Sequence, residues 1–244
     1  KKWYFVLFFP IIFISDLHID AGQIERLEAF SEFLQQQQKK VTTIFILGDL
    51  FNFWTAQSQA TIPAYQSLLQ IIQKGEQENK ILFLPGNRDF LFVNYLNRKH
   101  HRSLPDLATL HISNTRILIA HGDCFMTQDI WYFIVKKILT SKIAYILSEI
   151  APSWICIIVG KFLRNISFSN FKKNKNRKPV LKLDLEYATK CMQEKQCEIL
   201  ICGHAHLGKK YIHNNKSIYI LPECKGKNFP HLFWNETTQE YRGL

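Results

Sequence analysis

The chain has 244 residues, 47% of them hydrophobic and 14% aromatic. That is enough to bury the core of one large domain or two small ones, and it excludes a fold held together chiefly by disulfides. A formal net charge of +11 predicts an anionic partner (nucleic acid, an anionic membrane surface or a phosphorylated substrate) without choosing among them. Six cysteines at positions 124, 156, 191, 197, 202 and 224 include no CxxC pair, and they read as mostly buried, reduced thiols of a cytoplasmic protein.

The opening stretch KKWYFVLFFPIIFIS places two lysines before an apolar run, as a signal peptide does, but no small-residue cleavage site follows and Pro10 breaks the run. About twelve apolar residues are too few to span a bilayer. A long first strand with an N-terminal arm is expected instead. Apolar runs at 11–14, 44–47 and 81–84 then alternate with amphipathic stretches at 24–34 and 65–72, the pattern of strands linked by helices in an α/β domain. The glutamines at 35–38 read as the solvated end of a helix. Later runs at 116–120, 198–202, 211–213 and 218–221 read as strands, with Asn214 and Asn215 as a hairpin turn between the last two.

From 129 to 171 the pattern changes. Ile130, Ile134 and Ile138, with Trp131, Val135 and Leu139 beside them, give an apolar face wider than one helix needs against a core. A second greasy stretch runs from Trp154 to Leu163, and the basic run KKNKNRK follows at 172–178. The expected organisation is a core of residues 1–128 and 179–244, interrupted by a helical lid insertion with a basic patch at 129–178.

Five polar clusters each follow an apolar run: SDLH at 15–18, GDLF at 48–51, GNRD at 86–89, HGD at 121–123 and GHAH at 203–206. In an open α/β sheet, ligands gather at the carboxyl ends of strands. There the clusters would offer Asp16, His18, Asp49, Asn87, His121, His204 and His206, all N or O donors. Singly these are weak signals: Asp16 with His18 could cap a helix, and HGD could be an ordinary turn. The HxH pair at 204 and 206 would put two imidazoles on one side of an extended segment. Two divalent cations about 3.5–4 Å apart need a bridging carboxylate and several imidazole or carbonyl ligands, and Asp49 is the natural bridge. A donor set without thiolate suits manganese, iron or zinc.

In this order, DxH, GDLF, GNRD, HGD and GHxH resemble the calcineurin-like metallophosphoesterases, over residues 14–208. The resemblance implies an α/β fold, a two-sheet metallophosphoesterase sandwich, with a dinuclear centre at the sheet ends. Two divalent metal ions are expected, Mn2+ first, with Fe or Zn as alternatives. Most relatives carry GNHD, whose histidine lies close to the scissile phosphate and can protonate the leaving group; here the residue is Arg88. Arginine stays protonated and cannot act as a general acid, but its planar fork clamps phosphate oxygens. Such a site favours a diphosphate, whose leaving phosphate needs no proton.

GNRDF is also the form carried by the branch of that family that cleaves UDP-2,3-diacylglucosamine to UMP and lipid X in lipid A synthesis. This resemblance implies a metal-dependent pyrophosphatase in which Asp49 and Arg88 are catalytic, Asn87 ligates metal, Arg88 holds phosphate and Asp89 orients a neighbouring ligand. In that branch a helical lid encloses two acyl chains. Asp129, Tyr132, Arg164 and Lys178 are therefore expected to join Asn87 and Arg88 in binding substrate. The implied partners are the UDP-diacylglucosamine lipid and an anionic membrane surface, with the protein peripheral on the inner face of the cell inner membrane and no nucleic acid expected; the oligomeric state stays open. Two departures stand out. GHAHLG replaces the usual GHTHRP while keeping both histidines, and the branch's Trp and His near a late strand have no counterpart around PECKGK at 222–227. One rival is a nucleotide or nucleic-acid phosphodiesterase of the same family, which would call for aromatic platforms along a groove. The other is a non-enzymatic scaffold, which would place no demand on seven matched donors.

Overall fold

The structure, a computed structural model, describes residues 9–98, 103–126, 137, 141–152, 154 and 183–244. The N-terminal arm at 1–8, the basic run at 172–178 and the expected substrate contacts Asp129, Tyr132, Arg164 and Lys178 lie outside the described residues.

Two five-stranded sheets stand face to face. In the first, β1 (Ile11–Ile14), β2 (Thr43–Leu47) and β3 (Ile81–Leu84) are parallel, and β9 (His231–Trp234) and β10 (Gln239–Arg242) extend it antiparallel beyond β1. In the second, β5 (Thr115–Ala120), β6 (Ile199–Cys202) and β8 (Lys216–Pro222) are parallel, with β4 (Leu107–Ile112) and β7 (Leu207–His213) as antiparallel edges.

The central strands read IIFI, TIFIL and ILFL, near-continuous apolar runs of the kind that parallel strands covered on both faces require. Alternate side chains therefore serve two cores. Phe13, Phe45, Leu47, Leu82 and Leu84 meet Leu110, Ile117, Ile119, Ile201 and Leu221 between the sheets, where the Phe13 and Phe45 rings stack at 4.9 Å. Ile12, Ile14, Ile44, Ile46 and Phe83 point the other way, under α1 (Ile24–Gln37), α2 (Gln66–Gln77) and α3 (Phe92–Arg98). The far face of the second sheet carries Leu118, Leu200 and Ile220 against Ala188 and Met192 of a later helix, Leu185–Glu194. Each fully buried Leu, Ile or Phe contributes about 1.5–3 kcal/mol, so the four layers (helices, sheet, sheet, helix) are held chiefly by these three clusters.

The alternation in the sequence is realised, with differences at its ends. The glutamines at 35–37 form the last turn of α1, where Gln35 and Gln36 are exposed. β7 begins at Leu207, earlier than expected, and pairs His213 with Lys216 across Asn214 and Asn215. Their φ values of 47° and 59° are those of the mirror-image turn that matches strand twist. The long first strand is corrected to four residues: β1 starts one position after Pro10, whose ring removes a ladder N–H. Cys197, Cys202 and Cys224 are buried and Cys124 and Cys191 half-buried, and these five are free thiols. Among the described residues no helix is long and apolar enough to cross a membrane.

Part of the expected lid is described. α4 (Lys142–Ile150) begins at Ser141, whose hydroxyl caps it by accepting the Ala144 N–H at 3.2 Å. At its far end the Ala151 carbonyl accepts the Ser58 hydroxyl at 2.8 Å, docking the helix on the 3-10 turn Gln57–Thr61. Ile146, Leu147 and Ile150 are 59%, 56% and 74% exposed. The last helix, Leu185–Glu194, is α5.

Candidate metal and phosphate site

The parallel strands of both sheets end at one edge of the sandwich. β1 runs into Asp16, β2 into Asp49, β3 into Asn87 and Arg88, β5 into His121, and β6 into His204 and His206. All seven expected donors meet there. Asp16, His18 and His206 form one group, and Asp16, Asp49 and His121 a second, with ligand atoms within 4.8 Å of one another in each. Asn87 and His204 adjoin the second group: Asn87 Oδ1 lies 2.9 Å from His121 Nε2 and 3.1 Å from His204 Nδ1.

The loops reach this arrangement through unusual backbone. Asp16, His18, Asp49, His204 and His206 have φ of 55°, 50°, 54°, 63° and 58°, a region that costs a non-glycine residue about 1–3 kcal/mol. Hydrogen bonds between loops hold them there: the N–H groups of Leu17 and His18 both donate to the Asp49 carbonyl at 2.9 Å. The HxH segment is consequently not extended, as the sequence reading had it. Its two imidazoles diverge, His204 toward Asn87 and His121, His206 toward Asp16. Close approach also dictates Gly48, at φ 83°, because a Cβ there would stand 2.8 Å from His121 Nδ1.

Each carboxylate presents one oxygen to the site and has the other fixed. Asp16 Oδ2 accepts the Ser15 hydroxyl at 2.6 Å and the His204 N–H at 2.8 Å, leaving Oδ1 3.0 Å from His206 Nε2 and 3.9 Å from His18 Nε2. Asp49 Oδ1 accepts the Arg88 N–H at 2.9 Å. Its Oδ2 lies 3.7 Å from His18 Nδ1 and 3.6 Å from His121 Nε2, between imidazoles of the two groups, as a bridging ligand would. His121 Nδ1 is paired with the Leu47 carbonyl at 2.8 Å, which assigns one ring proton to Nδ1 and turns Nε2 to the site, where a bound cation would take the place of its proton.

Burial, seconded by Arg88, pushes His18 down to about 3, and burial with the neighbouring His121 does the same to His204; both rings are neutral and can ligate. Burial opposes ionisation of Asp16, but the hydrogen bond from His206 and the nearby imidazoles hold it below the usual range. Burial raises Asp49. Burial would lower His121, yet Asp49 and Asp16 outweigh it and carry the group up to about 9. The donors fit divalent cations: both His18 ring nitrogens are buried without a hydrogen-bond partner, and two fully buried carboxylates stand beside them, an arrangement that positive charge relieves.

Asp89 supports the second loop from below. Its Oδ1 accepts the N–H groups of Gly86 and Asp49 at 3.0 and 3.1 Å, and its Oδ2 those of Leu50 and Phe51 at 2.7 and 3.3 Å. Arg88 stands at the mouth, its side chain 30% exposed and Nε 3.5 Å from Asp49 Oδ2. Its Nη1 donates to Asn52 Oδ1 at 2.9 Å, its carbonyl accepts the Trp54 N–H at 2.9 Å, and its guanidinium carbon lies 5.7 Å from the Phe53 ring centroid. Three site residues lie outside the five clusters. Asn52 adjoins GDLF; Met126, with Sδ 2.6 Å from His204 Nε2, follows HGD. Glu223, 3.6 Å from His206 Nδ1, follows β8, a sixth strand end that the count of polar clusters passes over.

The profile of the calcineurin-like phosphoesterase family matches residues 9–208. A protein of Histophilus somni named UDP-2,3-diacylglucosamine hydrolase is 32% identical over 209 residues, covering 83% of this chain and 86% of that one. One of the same name from Psychromonas ingrahamii is 28% identical over 197 residues, 80% of each chain. A solved archaeal phosphodiesterase aligns with 96% of this chain and 98% of its own at 14% identity and a TM-score of 0.46. Since the family profile runs through every one of the seven donors, the chain belongs to the calcineurin-like phosphoesterases, hydrolases that use divalent metal ions.

Proposed function

We propose that the protein hydrolyses the pyrophosphate of UDP-2,3-diacylglucosamine to UMP and lipid X, using two divalent metal ions, manganese first. Asp16, His18, Asp49 and His206 would hold one ion, and Asp49, Asn87, His121 and His204 the other. The observation that carries this reading is Arg88, seated at the edge of the donor cluster where an acid catalyst would otherwise stand. The name of the relatives, which match four-fifths of the chain, supports the substrate.

When bound, the ions would lower the pKa of a water molecule and so supply hydroxide near neutral pH. Hydroxide adds to the phosphorus next to uridine, the bond from that phosphorus to the bridging oxygen breaks, and UMP forms. The lipid 1-phosphate departs as an anion stable without a proton, so no acid is needed. Arg88 keeps its proton throughout, and its fork stabilises charge that grows on the leaving phosphate. Asp16 and Asp49 keep the imidazoles oriented, and Asp89 fixes the loop that presents Asp49.

In this reading residues 129–178 form a lid over the acyl chains, and Asp129, Tyr132, Arg164 and Lys178 contact the substrate. The exposed Ile146, Leu147 and Ile150 of α4 and the net charge of +11 support a protein working at an anionic membrane face. Incubation of acylated and unacylated UDP-glucosamine with the manganese-loaded protein, followed by mass spectrometry, tests the proposal. UMP and lipid X should form from the acylated substrate with a far higher kcat/KM. Comparable values for the two substrates, or no UMP from either, would overturn it.

A further inference from the structure

We infer that Asn52 is a positioning residue for Arg88, a neutral seat that aims the guanidinium from its Nη1 side without adding a second carboxylate to the one its Nε already meets at Asp49 Oδ2, 3.5 Å away. Asn52 is 7% exposed and uses both ends of its carboxamide. Oδ1 accepts from Arg88 Nη1 at 2.9 Å, and Nδ2 donates to Asp20 Oδ2 at 2.8 Å. This fixes the amide orientation, because a flipped group would face the guanidinium with donors and the Asp20 carboxylate with an acceptor. The chain Asp20, Asn52, Arg88 joins the loops after β1, β2 and β3 into one support.

The chemistry of the seat matters as much as its geometry. A carboxylate at position 52 would pair with the guanidinium and offset the charge an anionic substrate needs. The acid of this network is instead Asp20, one residue removed, where it holds the amide. Segment 52–54 otherwise fixes Arg88 without charge as well, through the Phe53 ring and the Trp54 N–H. Among the described residues Nη2 of Arg88 has no hydrogen-bond partner, and this free edge is what the seat presents to the substrate's phosphates.

The inference rests on the phosphate-holding role of Arg88 proposed above, and the test separates the two. Asn52→Ala, Arg88→Ala and the double variant are assayed with UDP-2,3-diacylglucosamine and, independently of the lipid, with bis(p-nitrophenyl) phosphate. Melting temperature and metal content are recorded for each. Asn52→Ala is expected to lower kcat/KM on the diphosphate roughly tenfold in the native background and less than about twofold in the Arg88→Ala background. Equal losses in both backgrounds, or no loss in the native one, would overturn the inference. A harmless Arg88→Ala would instead remove the reading of Arg88 on which it depends.

The exchange variant Asp20→Asn with Asn52→Asp preserves each hydrogen bond but moves the negative charge next to Arg88. It should fold and bind metal as the native protein does while KM for the diphosphate rises by about tenfold. An unchanged KM would overturn the claim that neutrality at position 52 matters, and this variant keeps the proposal open to refutation if Asn52→Ala fails to fold.

Discussion

The carboxylate of Asp89 receives the backbone N–H of Asp49 at 3.1 Å, so a residue of the third loop holds the second loop's carboxylate in its left-handed conformation, φ 54°. Three more N–H groups, from Gly86, Leu50 and Phe51, share the same two oxygens. Asp89→Asn keeps the volume but turns one oxygen into a donor facing donors. Metal affinity and activity should each fall about 10–100-fold, as they do when groups supporting ligands are lost. Titration of metal-free variant with manganese checks this; native affinity would mean that Asp89 serves stability alone.

Because Asp49 Oδ2 stands between His18 and His121, removing it should empty both metal positions together. A chelator should lower the Tm of the native protein, and manganese at a hundred times its Kd should restore about 2.7 kcal/mol of stability. Asp49→Ala should fold, carry little metal and gain almost nothing from manganese. A folded Asp49→Ala with two equivalents of metal and near-native turnover would contradict the shared-carboxylate centre.

A pH effect is expected away from the site. Glu76 lies in the last turns of α2, 8% exposed, and burial pushes its carboxyl up to about 8. The folded state then binds this proton more tightly than the unfolded chain does. Stability from this group is complete below the unfolded value near 4.5 and is lost as pH rises through about 8. Glu76→Gln, always neutral, lacks that slope. Its Tm relative to the native protein should rise between about pH 5 and about pH 9; parallel curves would show that the carboxyl titrates normally.

The layers and the donor set are legible in the sequence because each depends on local pattern. Strands such as IIFI and ILFL announce burial on both faces, and every donor comes within four residues of a strand end. The conformation of the loops is not legible: nothing in GHAH says that both histidines take positive φ, so an extended HxH was the natural expectation and the divergence of the two rings was missed. Contacts between loops are hidden for the same reason. Asn52 meets Arg88 across 36 residues and Glu223 approaches His206 from a strand with no motif. Proline is different. Pro10 could be seen breaking the apolar run, and the short β1 is its consequence.

Ile146, Leu147 and Ile150 expose more apolar surface than α4 needs for docking through Ser58, and contiguous apolar surface marks an interaction face. Ile150→Asp should weaken use of the diacyl substrate while leaving bis(p-nitrophenyl) phosphate hydrolysis within about twofold of native, since that ester needs only the metal centre. KM for the lipid is the parameter expected to move. An equal loss on both substrates would mean that α4 supports the centre and does not meet lipid.

Arg88 distinguishes this site from one that carries an acid at the same position, and three substitutions separate its properties. Arg88→Lys keeps the charge and loses the fork, Arg88→His supplies a titratable proton, and Arg88→Ala removes both. Hydrolysis of a diphosphate builds negative charge on a leaving phosphate, so it should suffer most from losing a fixed cation, by about 100–1000-fold in kcat for Arg88→Ala. An activated aryl phosphodiester has a good leaving group and should lose less. Arg88→Lys should fall between native and Ala on the diphosphate, since Nη1 no longer reaches Asn52 in the same geometry. Arg88→His should recover some activity only toward esters whose leaving alcohol needs a proton, and only where the imidazole is protonated, so its rate on them should fall as pH rises. If all three variants lose the same factor on every substrate, Arg88 acts through loop structure, and the case for a diphosphate substrate falls with its role at the phosphate.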